Sequence, residues 1–164
     1  MTANDAGFAD RAASLAARLT PKCILLPQDA DEVSQAVNLL VQGSGNEACK
    51  FAVRSGGHTN WPGAADIECG VMLDLGYMHS TTYHPENQTA SIQPGARWGA
   101  VYDTLLPLGV NVAGGRDPTV GVGGFILGGG NSFYASQRGY VCDTVANFEV
   151  RWHPTYSIVQ QTGN

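Results

Sequence analysis

The stretch Phe51-Ala-Val-Arg-Ser-Gly-Gly-His-Thr-Asn60 sets the reading of this chain. Phe51 to Val53 is an apolar run of strand-forming residues. It ends at Arg54 and Ser55, and two glycines and a histidine follow. Gly56 and Gly57 are free to take φ > 0 and let another group approach the backbone. Successive N–H groups in such a turn form a concave nest for anionic oxygens. Arg54 adds a fixed positive charge with planar donors that suit phosphate. His58 stands at the exit with a titratable, nucleophilic ring. From these residues alone two readings stay open: an anion site, or a plain Gly-Gly turn carrying a surface histidine.

A second stretch is equally unusual: Gly114-Gly-Arg-Asp-Pro-Thr-Val-Gly-Val-Gly-Gly-Phe-Ile-Leu-Gly-Gly-Gly130. Ten of the 21 glycines fall between Gly109 and Gly139, so this part of the chain is built on close backbone approach. Residues 119–130 are too rich in glycine for a good isolated helix and too apolar for a flexible linker. They read as backbone lying against something planar or phosphorylated. No G-x-G-x-x-G fits Gly121 to Gly130, and the acidic residue expected after a dinucleotide-binding βαβ unit is missing. No Gly-Lys-Ser/Thr and no G-x-S-x-G occurs, which argues against a Walker loop and against a serine hydrolase of that type. Gly124-x-x-x-Gly128 matches the spacing of a membrane-helix dimer motif in an apolar context too short for one.

Composition bounds the rest. At 164 residues the chain is one domain or a fragment of one, long enough to bury a core. Its charged fraction is only 14%, which fits tight turns better than a solvated helical bundle. A net charge of −5 and the lack of any basic run speak against nucleic acid or an anionic membrane surface as partner. No apolar stretch approaches ~18 residues, so no membrane span is expected. The N-terminus lacks a basic and then apolar leader, which makes the cytoplasm the default location. Cys23, Cys49, Cys69 and Cys142 form no CxxC pair and no metal-ligand spacing, and read as buried free thiols. The sequon Asn87-Gln-Thr89 would matter only in a secreted protein. His58, His79, His84 and His153 show no zinc-like spacing, and His79 and His84 read as surface residues flanking a turn.

Taken in order, the chain predicts a helix over residues 4–19, capped by Asn4 or Asp5, with Phe8, Ala12, Leu15, Ala16 and Leu19 at helical spacing. Cys23 to Leu26 is a short strand. Asp29 to Glu32 place acids at a helix N-terminus, and Val33, Ala36, Val37, Leu40 and Val41 give one apolar face before Gly43-Ser-Gly45 ends the helix. Phe51 to Val53 and Val71 to Leu75 are strands. Asp74 reads as an edge or turn-facing partner. Tyr83 to Asn87 is expected as a turn, Thr89 to Gln93 as a strand, and Trp98, Val101, Tyr102 and Leu105 as a further helix ending near Gly109. Val141 to Val150 alternates toward a strand. No internal repeat is visible, and the order of elements is that of an α+β or α/β chain with short sheets.

These blocks together resemble the FAD-linked oxidase family, whose flavin domain (of the PCMH type) is shared by vanillyl-alcohol oxidase and berberine-bridge-type enzymes. Three segments carry the resemblance: Phe51 to His58; Asp117-Pro-Thr-Val-Gly-Val-Gly-Gly124 with Gly128-Gly-Gly130; and Gly139-Tyr-Val-Cys-Asp-Thr-Val-Ala-Asn-Phe-Glu-Val150. Pro27, Val71 to Leu75, and Ala90-Ser-Ile-Gln-Pro-Gly-Ala-Arg-Trp98 fit as spacers. The resemblance implies an α+β fold, the N-terminal part of a flavin domain of two small subdomains over residues 20–150, after an N-terminal helix over residues 1–19. Arg54, Ser55, Gly56, Gly57, His58 and Thr59 would wrap the FAD pyrophosphate, and His58 would bond covalently to the flavin 8α carbon. Pro118, Thr119, Val120, Gly121, Gly123, Gly124 and Gly128 would line the pyrophosphate and ring, and Val150 would lie near the flavin or its adenosine arm.

Three departures qualify the resemblance. Many berberine-bridge-type members carry a cysteine that forms a second flavin bond where this chain has Asp117, so attachment only through His58 is expected. Phe125 also stands where some members carry histidine. The residues 151–164 read as a divergent tail, broken by Pro154 and polar from Gln160 to Asn164, and the substrate domain of the family is missing. The resemblance implies hydride transfer from a small alcohol, sugar or fungal-type secondary metabolite to the flavin, with reoxidation by oxygen. No residue here can be named as the catalytic base. The second reading is a flavin-binding remnant without turnover, or a subunit needing a partner, with an association-prone apolar face left by the missing half.

Overall fold

The computed structural model describes residues 1–2, 4–8, 19–43, 49–151 and 156–160. At its centre lies Val71–Asp74 (β3), flanked in parallel by Cys23–Leu25 (β1) and Phe51–Arg54 (β2), in the order β1-β3-β2. A central parallel strand is covered on both faces, and Met72 and Leu73 are accordingly fully buried on opposite sides. Met72 packs with Ile24 and Phe8, and Leu73 packs with Leu75 and Met78. The helix expected from residue 4 does not start there: residues 4–7 form a turn, in which Asp5 accepts from Thr2 N–H (2.6 Å) and Gly7 takes φ 81°. Phe8, which follows, is buried, and Ala12, Leu15 and Ala16 lie outside the described residues.

Helix α1 (Ala30–Gln42) crosses from β1 to β2. Its start is written in the sequence: Asp29 accepts a hydrogen bond from Glu32 N–H, and the Glu32 carboxylate accepts one from Gln28 N–H, both 2.8 Å. Gly43, at φ 67°, donates to the Leu39 carbonyl and ends the helix; Ser44 and Gly45 lie outside the described residues. Val33, Ala36 and Val37 pack toward Leu73, whereas Val41 is exposed, so the apolar face is narrower than its spacing predicts.

A second layer begins with an antiparallel hairpin, β4 (Thr81–His84) and β5 (Thr89–Ile92). Tyr83 and His84 therefore belong to a strand, and the turn is confined to Pro85–Gln88. Cross-strand register opposite Ala90 and Thr89 holds them extended, and Gln88 takes the positive φ (57°) that closes the turn. Helix α2 (Trp98–Leu105), continued by a 3₁₀ turn at Leu106–Leu108, packs on this hairpin through Trp98, Val101 and Leu105. The same core takes Val122 and Val141.

Residues 122–127, expected to be non-helical, form a short helix α3 (Val122–Leu127). Tertiary anchoring overrides glycine propensity here. Val122 is buried and donates its N–H to Ala96 O (2.9 Å), and Phe125 meets the Trp98 ring edge-on at 5.4 Å. After α4 (Ala135–Arg138), the expected strand at 141–150 splits into a 3₁₀ turn (Val141–Thr144) and β6 (Asn147–Arg151). The tail is not devoid of structure: β7 (Tyr156–Gln160) pairs antiparallel with β6, Phe148 opposite Val159. Its Tyr-Ser-Ile-Val run has strand propensity, and Pro154 lies outside the described residues, between the two strands. The fold is α+β, as expected. No helix among the described residues is long and apolar enough to cross a membrane.

The four cysteines are free, but they are not buried: Cys49 and Cys69 are exposed, and Cys23 and Cys142 are half-buried. Asp74 sits on the central strand rather than an edge, and faces a turn as expected, accepting from Gly76 N–H at 2.8 Å.

Candidate functional site

Strand β2 delivers Arg54 and Ser55 to the turn, and the turn meets the second glycine stretch backbone to backbone. A Cβ on Gly56 would lie 2.5 Å from Gly121 Cα, and one on Gly121 would lie 2.5 Å from Gly56 Cα. Neither position accepts any side chain without parting the two loops. Ser55 closes the seam from one side, donating its hydroxyl to Pro94 O at 2.6 Å. Gly123 fits into the same corner, where an added Cβ would lie 3.0 Å from Pro94 O and 3.2 Å from Ser55 Oγ.

A residue that sequence reasoning quoted only as a spacer stitches the seam. Arg97 donates from Nη1 to Thr119 O and from Nη2 to Gly56 O, the latter at 3.2 Å, so one guanidinium holds both loops. Backbone bonds reinforce it: Trp98 N–H to Val120 O (3.1 Å) and Gly99 N–H to Pro118 O (3.0 Å). The usable signal was an arginine just after Pro94-Gly95, placed by that turn at the mouth of α2.

Arg54 lies beneath the turn. Its side chain is 9% exposed, and a Cβ on Gly57 (φ 64°) would lie 2.6 Å from its Nε, so the guanidinium packs beneath the turn. The sheet register sets it beside Asp74. Below the turn opens a cavity of about 410 Å³, lined by Arg54, Ser55, Asp74, His79 and Arg97 with Gly76, Gly95 and Ala100. Two guanidinium groups and one carboxylate therefore share its wall.

His58 is half-buried, with Nε2 3.9 Å from Asp117 Oδ2. Asp117 Oδ1 accepts from Thr119 N–H (2.7 Å) and Thr119 Oγ (2.6 Å). The Thr119 hydroxyl and then its N–H hold the Asp117 carboxyl below the usual carboxylate range, with a smaller pull from His58. Thr59 follows in the loop, its hydroxyl oxygen accepting from Trp61 N–H at 3.2 Å.

Within residues 119–130 one glycine meets a planar group of the chain itself: a Cβ on Gly130 (φ 74°) would lie 2.7 Å from Phe125 Cε1. Outside that run, Gly114 and Gly115 pack against the Trp98 indole, where a Cβ on Gly115 would reach Nε1 at 2.8 Å. Tyr102 stacks on the same indole at 6.0 Å and donates to Gly115 O at 2.7 Å. Gly124 is different: a Cβ there meets nothing within 4 Å, so its exposed face is open. Gly128 caps α3 through Gly124 O. Val150 is exposed on β6, the strand that neighbours α1. The structure thus brings Ser55, Gly56, Thr119, Val120, Gly121 and Gly123 into one seam, sets His58 beside it against Asp117, and places Val150 on a separate element.

This is an α+β domain in which two glycine loops meet backbone to backbone beside a cavity lined by Arg54, Asp74 and Arg97. Residues 21–152 match the model of the FAD binding domain family, and the chain belongs to that family. It is 48% identical over 137 residues to the FAD-dependent monooxygenase drtC of Aspergillus calidoustus, covering 84% of this chain and 26% of that protein. It is 51% identical over 134 residues to the FAD-dependent monooxygenase sdcF of Emericella nidulans, covering 82% and 28%. Among solved structures it is similar to the xylooligosaccharide oxidase of Myceliophthora thermophila C1 in complex with xylobiose: TM-score 0.84, 26% identity, 100% of this chain and 35% of that one. It is also similar to the glucooligosaccharide oxidase of Acremonium strictum, described with a 6-S-cysteinyl, 8α-N1-histidyl FAD: TM-score 0.81, 25% identity, 98% and 34%. The chain spans about a quarter of the length of the curated relatives it matches.

Proposed function

We propose that this chain is the flavin-holding part of an FAD-linked oxidoreductase that acts on a small molecule, in the chemistry of fungal-type secondary metabolites. The seam between Gly56 and Gly121 carries the reading: neither position has room for a side chain, so the main chains of both glycine loops come together in one place. The residues fit FAD. Gly57 at φ 64° bends the turn, Gly124 leaves an open face for a flat ring, and Arg54 and Arg97 supply charge for a pyrophosphate. Arg54 to Thr59 would hold the pyrophosphate side, Pro118 to Gly124 with Gly128 the ring side, and Val150 the adenosine side. His58 would tether the cofactor, and Asp117 cannot form the thioether that a cysteine there would form. When bound, FAD supplies two-electron chemistry, accepting a hydride from a substrate C–H and passing the electrons to oxygen. This chain's own residues bind and orient it; the substrate pocket and the catalytic base would come from a further domain.

A second reading has its own observation. Leu127 and Phe133 are 83% and 78% exposed, and Tyr140 is exposed with them. Exposed apolar side chains of this size suit a subunit that holds flavin and needs another segment or partner for turnover.

Purified chain exposed to FAD and freed of excess should carry a flavin absorption spectrum. In a longer protein that carries the substrate domain as well, anaerobic addition of a panel of alcohols, sugars and phenolic metabolites should then bleach it. A flavin spectrum that no compound bleaches favours the second reading. A colourless chain overturns both.

A further inference from the structure

Asp117 does more than occupy the place of a cysteine. Its Oδ1 is held by the N–H and the hydroxyl of Thr119, at 2.7 and 2.6 Å. Those two bonds fix the plane of the carboxylate, so Oδ2 is aimed rather than left to a free rotor. Oδ2 lies 3.9 Å from His58 Nε2. The two side chains remain 37% and 54% exposed, so a ligand at the seam can reach the ring. At 3.9 Å the two groups are at ion-pair rather than hydrogen-bond distance, and the nearby negative charge favours the tautomer that carries its proton on the facing nitrogen and keeps the lone pair on the other.

We infer that Asp117 is a positioning residue for His58: it holds the imidazole with its proton on Nε2 and leaves Nδ1 as the nitrogen that bonds the flavin. The inference rests on the flavin-holding function proposed above. In the step it serves, the bond from Nδ1 to the 8α-methyl carbon forms and one methyl C–H bond breaks. The methyl proton and the Nε2 proton are released, and the electron pair passes through the flavin ring to dioxygen, which with the two protons becomes hydrogen peroxide. Asp117 faces the nitrogen that gives up its proton. Where a cysteine would add a second tether, this chain has a group that steers the first.

Asp117→Asn separates the carboxylate from the loop. The amide oxygen still accepts from Thr119, while an NH₂ donor replaces the oxygen that faces His58. Two measurements on the 164-residue chain decide the matter. The first uses no flavin: ¹⁵N NMR of the His58 ring in the apo chain should show the proton on Nε2 in the wild type. In Asp117→Asn the population should move toward Nδ1–H. The second follows flavin retained after denaturation against time of incubation with FAD. The Asn variant should take up FAD as the wild type does but attach it about tenfold more slowly or worse. Unchanged ring signals, an unchanged attachment rate, or a wild type that takes up FAD and retains none would overturn the inference. A wild type that takes up no FAD would sink the flavin reading instead, and the ring signals would still decide whether Asp117 sets the tautomer.

Discussion

Gly56→Ala should separate the two glycine loops. The new Cβ would sit 2.5 Å from Gly121 Cα and closer still to Gly121 N, and both are backbone atoms that cannot swing aside. Ordinary contact needs roughly 3.5 Å or more, so the loops must part by about 1 Å. Overpacking of this kind costs about 1–3 kcal/mol. Parting the loops also stretches the bond from Arg97 Nη2 to Gly56 O, now 3.2 Å, a loss of order 1 kcal/mol for a partly exposed hydrogen bond. The sum is about 3 kcal/mol, which for a chain of this size lowers Tm by roughly 6–12 °C. Urea unfolding followed by circular dichroism measures it. Gly121→Ala should cost a similar amount, since its Cβ meets Gly56 in return. The double variant should cost less than the sum, because one separation relieves both clashes. A Gly56→Ala chain within about 0.5 kcal/mol of the wild type would refute the reasoning, since only an open seam would accept the methyl group so cheaply.

Other substitutions and conditions test neighbouring points. Gly124→Ala adds a methyl group to open space within α3, so the apo chain should gain about 0.5–1 kcal/mol in urea unfolding. The same variant should bind FAD about tenfold more weakly in a fluorescence titration, because the methyl group takes the space proposed for the ring. Burial, and then the neighbouring Tyr134, raise the Tyr102 pKa above 10.0. The folded state therefore favours the protonated phenol, and the stability linked to it is complete below the ordinary tyrosine pKa and lost as pH rises through the raised value. Tyr102→Phe should flatten that alkaline loss while costing about 1 kcal/mol at neutral pH, since Gly115 O loses its donor. Thermal melts at neutral and alkaline pH measure both effects.

Much of the scaffold was legible because local chemistry and tertiary position agree. Asp29 and Glu32 write the start of α1, and the apolar runs at Phe51 and Val71 write two strands of the parallel sheet. Where the two disagree, the sequence misled. Thr81 to His84 runs directly into Pro-Glu-Asn, so a strand end looked like part of a turn, and only pairing with Thr89–Ile92 shows it as β4. Val122 to Leu127 contains two glycines that weaken any isolated helix, and Trp98 and Ala96 supply the anchoring that propensity cannot report. The site was legible as two loops but not as one seam. Glycine announces close approach without naming what approaches; at Gly56 it is Gly121, and at Gly114 it is the Trp98 indole. Arg54 and Arg97 show the same limit. Both are cations near a glycine turn in sequence, yet one packs beneath the turn and the other ties the loops together.

The account turns on whether the seam between these loops is a flavin site. Titrating FAD with the purified chain and following flavin fluorescence tests it most directly. The account predicts saturable binding of one FAD per chain, lost in step with folding when Gly56→Ala parts the loops. An FAD signal that the chain leaves unchanged, while circular dichroism shows it folded, would contradict it.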